Sequence, residues 1–158
     1  MKFIHTASDA WQPADEQALA APAAHRLLTL AQWLAVRESW PAGLATGLLL
    51  PNTADVEELA DDLSRLALVA LHFPKWVDGR AYSQAHVLRT RLGYAGELRA
   101  TGDVLVDMLP LLQRTGFDAV QLRHDQQEDS ARRALTLVSD FYQGDVRTPR
   151  PHFARSIA

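Results

Sequence analysis

Four apolar segments of strand length alternate with four segments of helical periodicity between residues 43 and 143. The clearest strand is LALVALHF, residues 66–73, which is almost unbroken in its apolar character. The clearest helix is AYSQAHVLRTRLG, residues 81–93, whose apolar positions share one stripe. Strand–helix units repeated in succession predict parallel strands joined by right-handed crossovers. The alternation therefore indicates an α/β protein with a parallel sheet.

Two of the predicted strands have one polar face. In ELRAT, residues 97–101, Leu98 and Ala100 alternate with polar side chains, and AVQLR, residues 119–123, has the same alternation. A doubly wound sheet carries helices on both faces, so its central strands should be apolar on both sides. These strands instead favour helices on one side only and strands in sequential order, as in half of a (β/α) barrel. A flavodoxin-like doubly wound layer is the alternative.

The chain is predicted to form one domain over residues 1–158, because 158 residues that are 47% hydrophobic suffice for one core and are few for two. Residues 1–24 are expected to be a covering segment, residues 25–143 the α/β core, and residues 144–158 an extended tail. Within the core, helices are predicted over residues 25–39, 53–66, 81–93, 103–116 and 128–143, the fourth with a kink or a late start at Pro110. A half barrel leaves its inner face and two edges open, and the covering segment, a second copy or a partner must close them.

Composition excludes several classes of function. The net charge is −3, with 16 basic and 19 acidic residues and no concentrated basic patch, which argues against a nucleic-acid or membrane-surface binder. The absence of cysteine excludes disulfides, thiolate metal ligands, cysteine-ligated iron–sulfur clusters and a cysteine nucleophile in this chain. No segment approaches the roughly 18–20 apolar residues of a membrane span, and the start lacks a signal-peptide pattern. We therefore expect a cytoplasmic location.

Charged residues concentrate where loops should follow the carboxyl ends of the strands, the edge at which parallel α/β sheets bind ligands. Lys75, Arg99 and Arg123 could gather there, and such a rim suits a small anion or a carboxylate. The structural alternative is that Glu97 pairs with Arg123 or Arg99, while Asp103 merely caps a helix. Structural ion pairs commonly resemble sites, so both interpretations stand.

The segment DGRAYS, residues 78–83, resembles a phosphate-binding turn that leads into a helix, with Gly79 allowing close approach. A tight turn with an aspartate near a helix start explains it equally. No G-x-G-x-x-G or Walker motif supports nucleotide binding, and no catalytic residue can be assigned. The histidines show no metal spacing, and His72 is expected to be a hydrogen-bonded core residue. The candidate residues for binding an anion or a partner are Lys75, Asp78, Arg80, Tyr82, Ser83, Arg99, Asp103 and Arg123.

Four short runs carry a family resemblance: Phe-Pro-Lys at 73–75, Asp-Gly-Arg-x-Tyr-Ser at 78–83, Gly-Glu-Leu-Arg-Ala at 96–100 and Gly-Asp-Val at 102–104. Together they resemble a bacterial family of unknown function whose members are described as oxidoreductases involved in sulfite reduction. Genes of that family commonly neighbour the gene for the haemoprotein subunit of assimilatory sulfite or nitrite reductase. The likeness extends over most of the chain, from about residue 30 to residue 143.

The resemblance implies an accessory protein of sulfur assimilation that binds or supports a sulfite or nitrite reductase haemoprotein. The sirohaem and the iron–sulfur cluster would belong to that partner, and no cofactor is expected in this chain. An enzyme acting on a small anionic sulfur compound at the basic rim is the alternative, and a self-associating scaffold, a homo-oligomer, is a third. The chain departs from the family pattern at Trp76 and Val77, where smaller or polar residues are usual, and at Thr101, where an aliphatic residue is usual.

Overall fold

The structure, a computed structural model, describes residues 1–137 and 141–154. Within them, seven parallel strands form one sheet: β1 Lys2–Phe3, β2 Gln12–Pro13, β3 Arg26–Thr29, β4 Thr46–Leu50, β5 Leu66–Phe73, β6 Glu97–Gly102 and β7 Ala119–Val120. The order across the sheet is β1-β7-β6-β5-β4-β3-β2. Strands β2 to β7 therefore lie side by side in the order in which they occur in the chain, and β1 pairs with β7 at the far edge. This sequential order confirms the curled half-barrel, because in a flavodoxin-like layer the strand order reverses at an internal position of the sheet.

The helices described are α1 Glu16–Ala20, α2 Leu30–Val36, α3 Arg80–Thr90, α4 Leu109–Arg114 and α5 Glu128–Ala134. The main core joins the outer face of the sheet to these helices. Leu71, Leu98 and Val120 of the sheet belong to the same buried cluster as Leu88 of α3 and Leu112 of α4. None of the helices in the described ranges has the length and hydropathy needed to cross a bilayer.

The inner face of the sheet is partly polar and is covered by the N-terminal segment. Asp9 reaches Arg99 of β6, and the Trp11 ring lies against Gly47 of β4. A Cβ atom at Gly47 would be 2.9 Å from that ring, so only glycine leaves room for this contact. At the two edges, β1 pairs with β7 and β2 pairs with β3, so the same segment supplies both edge strands.

Two predicted helices are corrected. The predicted helix over residues 25–39 is wrong in its first part, because residues 26–29 form β3 and α2 begins only at Leu30. A capping box fixes that start: the Thr29 hydroxyl accepts from the Gln32 backbone N–H, and the Gln32 side chain accepts from the Thr29 N–H. The predicted helix over residues 53–66 is two 3₁₀ turns, Glu57–Leu59 and Leu63–Arg65. A side-chain oxygen of Asp55 accepts from the Glu57 N–H, and this local hydrogen bond competes with a continuous helix.

The elements after β6 are shorter than the sequence predicts. The helix predicted over 103–116 starts late, at Leu109, with Pro110 in its first turn, where the missing N–H costs nothing. The last strand is confined to β7, and the last helix ends at Ala134. Val138, predicted on the apolar face of that helix, and residues 155–158 of the tail lie outside the described residues. The described part of the tail folds back, since the Arg114 guanidinium is 3.2 Å from a carboxylate oxygen of Asp145.

Candidate functional site

The loop from Pro74 to Gly79, after β5, is closed by contacts within itself. The Asp78 backbone N–H donates to the Lys75 carbonyl oxygen at 2.9 Å. The Arg80 guanidinium forms a two-pronged ion pair with Asp78, Nε to Oδ1 at 3.0 Å and Nη2 to Oδ2 at 2.7 Å. The hydrogen bonds from Arg80 hold the pKa of Asp78 well below its usual value. Asp78 and Arg80 are thus each other's partners at the start of α3.

Asp103, after β6, connects three loops at the carboxyl rim. Its Oδ2 accepts the Trp76 backbone N–H at 2.9 Å, and its Oδ1 accepts from Arg123 Nη1 at 2.7 Å. Its own N–H donates to the Phe73 carbonyl oxygen at 2.8 Å. The Trp76 N–H and then Arg123 lower the pKa of the Asp103 carboxyl. Asp103 therefore braces the rim and does not cap the helix that follows, because α4 begins six residues later.

Arg123 is bound by two carboxylates. Besides Asp103, its Nε and Nη2 donate to Asp125 at 2.6 and 2.7 Å. Hydrogen bonds from Asp125 and then Asp103 raise the pKa of the Arg123 guanidinium. The pairing of Arg123 with Glu97 that the sequence left open does not occur. With two anions around one cation, this corner of the rim is not electropositive.

Arg99 lies on the inner face of the sheet and not among these loops. Its side chain is 4% exposed, with Nη1 at 2.6 Å from Asp9 Oδ2 and Nη2 at 2.9 Å from Glu97 Oε1. Lys2 approaches Glu97 from the solvent side, at 3.1 Å. Arg99 therefore does not join Lys75 and Arg123 in one cluster, and its contacts are those of a buried structural pair.

The other candidate residues make different contacts. Lys75 is exposed, and no ion pair joins its ammonium group to a carboxylate within residues 1–137 and 141–154. Tyr82 packs edge-on against the Phe73 ring, with centroids 5.1 Å apart, and burial raises the pKa of its phenol to about 12. Ser83 is exposed on α3. The part of the chain that the structure describes holds no group of three or more histidine, aspartate and glutamate side chains placed to bind a metal ion.

A family model described as a bacterial protein of unknown function (DUF934) matches residues 47–153. The chain belongs to this family. No curated protein matches the chain. The DUF934 match includes the loops after β4, β5, β6 and β7, whereas Asp9 and Trp11 on the covering segment lie outside it.

Sequence reasoning missed two features inside the DUF934 region. Trp76 and Val77, at the tip of the loop after β5, are 53% and 65% exposed, so the loop presents an apolar tip flanked by charges. The adjacent apolar pair in Lys-Trp-Val-Asp-Gly was the signal available for it. Arg89 of α3 binds the Asp118 carboxylate and the carbonyl oxygens of Gly96 and Gly116, at 2.8 and 3.0 Å, and no local pattern predicts contacts so distant in sequence.

Proposed function

We propose that this DUF934 protein is an accessory protein of assimilatory sulfite reduction that binds a sirohaem-containing sulfite or nitrite reductase. The observation that carries the proposal is the braced loop after β5, which exposes Trp76 and Val77. Exposed aromatic side chains on a fixed backbone are typical anchors of protein–protein contacts, because little conformational entropy is lost when they bind.

The brace explains why this loop is suited to docking. Trp76 is fixed by its backbone N–H on Asp103, and the following turn is fixed by the pair between Asp78 and Arg80. A partner that covers the apolar tip does not need to order the loop first. The exposed ammonium group of Lys75 adds a positive charge beside the tip, which favours an acidic edge on the partner.

The same contacts weigh against the alternative, an enzyme acting on a small anionic sulfur compound. Such a site needs cations that are free to meet the anion. Arg80 is paired with Asp78, Arg123 is held by two carboxylates, and Arg99 is buried between two more. These three arginines are neutralised by carboxylates of the same chain, which favours a binding protein.

The resemblance to the family associated with sulfite reduction supports the choice of partner, and the exposed Trp76 and Val77 support the choice of surface. In this proposal, the sirohaem and the iron–sulfur cluster of the reductase carry the electrons. The chain contributes its docking loop and not a redox group, which suits a polypeptide without cysteine. Its role would be to support assembly of the reductase or the entry of electrons.

Affinity purification from the native host tests the proposal. The wild-type protein should retain the reductase haemoprotein, recognisable by its absorption spectrum, and Trp76→Ser should release most of it. Leu111→Ser, on α4, is the matched control, because Leu111 is similarly exposed at 46% and lies away from the loop. Equal retention by both variants would reject the loop as the docking surface, and absence of the haemoprotein from the wild-type eluate would reject the partner.

Deletion of the gene tests the pathway separately. The deleted strain should grow poorly on sulfate and normally on cysteine, because cysteine enters after the reduction of sulfite. Growth that is equal on both sulfur sources would contradict a role in sulfur assimilation.

A further inference from the structure

The Trp76 backbone is held by a contact that joins the loops after β5, β6 and β7. Asp103 uses both oxygens of its carboxylate: Oδ2 accepts the Trp76 N–H at 2.9 Å, and Oδ1 accepts from Arg123 Nη1 at 2.7 Å. Rotation of the carboxylate would break both hydrogen bonds, so each donor keeps the acceptor in place for the other. Asp125 holds the Arg123 guanidinium from its other side, at 2.6 and 2.7 Å.

The end of β6 places Asp103 for this contact. The Asp103 N–H donates to the Phe73 carbonyl oxygen at 2.8 Å, and the residue before it, Gly102, has φ +92°. A Cβ atom at Gly102 would lie 2.3 Å from that carbonyl oxygen, so a larger residue would clash there. The Asp103 carboxylate is therefore fixed at its backbone as well as at its two oxygens.

The covering segment is fixed by the same combination of contacts. Asp9 Oδ1 accepts the Trp11 backbone N–H at 3.1 Å, and Asp9 Oδ2 accepts from Arg99 Nη1 at 2.6 Å. A second carboxylate, that of Glu97, holds the Arg99 guanidinium, as Asp125 holds that of Arg123. In both places a tryptophan N–H and an arginine share the two oxygens of one aspartate.

The two tryptophan side chains differ in what they cover. The Trp11 ring packs against Gly47 and lies edge-on to His25, with ring centroids 5.1 Å apart. The Trp76 ring is 53% exposed, and no aromatic ring or cation within residues 1–137 and 141–154 stacks on it. The contacts that serve packing at Trp11 therefore fix, at Trp76, a residue whose ring its own chain leaves uncovered.

We propose that Asp103 and Arg123 are positioning residues for docking, Asp103 because it holds the Trp76 backbone and Arg123 because it holds Asp103. The inference rests on the proposed function, in which Trp76 is the anchor for the reductase. Neither positioning residue needs to touch the partner. They fix the backbone from which the indole projects, so less conformational entropy is lost when the partner covers it.

Amide hydrogen exchange of the 15N-labelled full chain, measured by NMR, tests the positioning without any partner. Asp103→Leu removes the acceptor, so the Trp76 amide should exchange about fivefold or more faster, as expected for one lost hydrogen bond. The Trp11 amide, held by Asp9 in the same way, is the internal control and should exchange at its wild-type rate. A loss of stability spread through the fold would not single out the Trp76 amide.

Two variants of Arg123 test its action through Asp103. Arg123→Met removes the charge and leaves the Asp103 carboxylate free to rotate, so the Trp76 amide should exchange about twofold or more faster. The increase should be smaller than in Asp103→Leu, because the acceptor of the Trp76 N–H remains. Arg123→Lys keeps a cation beside Asp103 and should bring the exchange rate back towards that of the wild type.

Affinity purification of the reductase haemoprotein measures the effect on docking. Asp103→Leu and Arg123→Met should lose a large part of the bound haemoprotein. Arg91→Met is the matched control and should retain all of it, because Arg91 forms an exposed pair with Glu57 at the opposite end of α3.

Three outcomes would overturn the inference. The first is equal exchange of the Trp76 amide in the wild type and in Asp103→Leu. The second is faster exchange with undiminished retention of the haemoprotein, when Trp76→Ser has lost it; the proposed function would then stand without these positioning residues. The third is full retention by Trp76→Ser itself, in which case the proposed docking loop fails and the positioning role fails with it.

Discussion

Replacing Arg99 with methionine tests whether Arg99, at the centre of the inner face, stabilises the fold or belongs to a functional site. The Arg99 side chain is 4% exposed, and its guanidinium lies 2.6 Å from Asp9 Oδ2 and 2.9 Å from Glu97 Oε1. Methionine keeps much of the volume of the stem and removes the charge. Two carboxylates would then face each other beside the sheet, with only the exposed Lys2 near one of them.

The expected cost follows from the burial of the partners. Removing one member of a buried ion pair costs about 3–5 kcal/mol, because it leaves an uncompensated charge. The Asp9 and Glu97 side chains are 17% and 18% exposed, so water reaches them and the lower value applies. At about 2–4 °C per kcal/mol for a chain of this size, a loss of about 3 kcal/mol lowers the melting temperature by about 6–12 °C.

Thermal unfolding followed by circular dichroism measures the effect, with Arg80→Met as the matched control. That variant makes the same chemical change at an exposed pair with Asp78, where solvent screens the charges, so its melting temperature should stay close to that of the wild type. Asp9→Asn combined with Arg99→Met should recover part of the loss. An Arg99→Met protein that melts like the wild type but no longer retains the reductase would refute the structural interpretation and make Arg99 part of a site.

Three further outcomes are expected. Hydrogen bonds from Arg80 lower the pKa of Asp78, so the small stabilisation from this pair is complete above the ordinary aspartate pKa of about 4 and is lost as the pH falls through the lowered pKa. Carboxyl carbon NMR should find Asp78 still ionised at about pH 3 in the wild type, but protonated at that pH in Arg80→Met. Burial raises the pKa of Tyr82 to about 12, so absorbance at alkaline pH should find it neutral at about pH 11, and the fold should lose stability above about pH 10, where an unfolded tyrosine ionises. Gly102→Ala, at φ +92° with a Cβ 2.3 Å from a carbonyl oxygen, should lower the melting temperature more than Gly93→Ala, at φ +64° in open space; equal losses would contradict this.

The sheet was predictable because the alternation of a strand reports directly which of its faces is buried. Leu98 and Ala100 are fully buried on the helical side of the sheet. The polar residues that alternate with them along β6 face inward, as a period of two requires. The start of α2 was missed because apolar residues run through the junction at Leu28 without a break in period. The Thr29 and Gln32 spacing of a capping box was visible there and marks the boundary.

The candidate site was less predictable, because its contacts join residues that are far apart along the chain. Asp78 with Arg80, two residues apart, could be expected from the turn that carries them. The pairing of Arg123 with Asp103, 20 residues apart, and of Arg99 with Asp9, 90 residues apart, depends on the register of strands and on the path of the covering segment. The sequence was wrong to group Arg99 with Lys75 and Arg123 at one rim, and it could not say which charged residues neutralise one another.

The covering segment is needed because the inner face of this half barrel carries buried polar side chains. Arg99 cannot be buried without a partner, and the segment brings Asp9 to it while Trp11 covers the apolar surface at Gly47. The same segment reaches past the end of β7, where the Thr6 hydroxyl accepts a hydrogen bond from Gln121 Nε2 at 2.8 Å. The part of the inner face that lies beside α2, at Leu49 and His72, is open and apolar, and no charge there needs a partner. The path of the covering segment thus follows the polar side chains of the inner face, Arg99 and Gln121, because these are the groups whose burial requires hydrogen-bond partners.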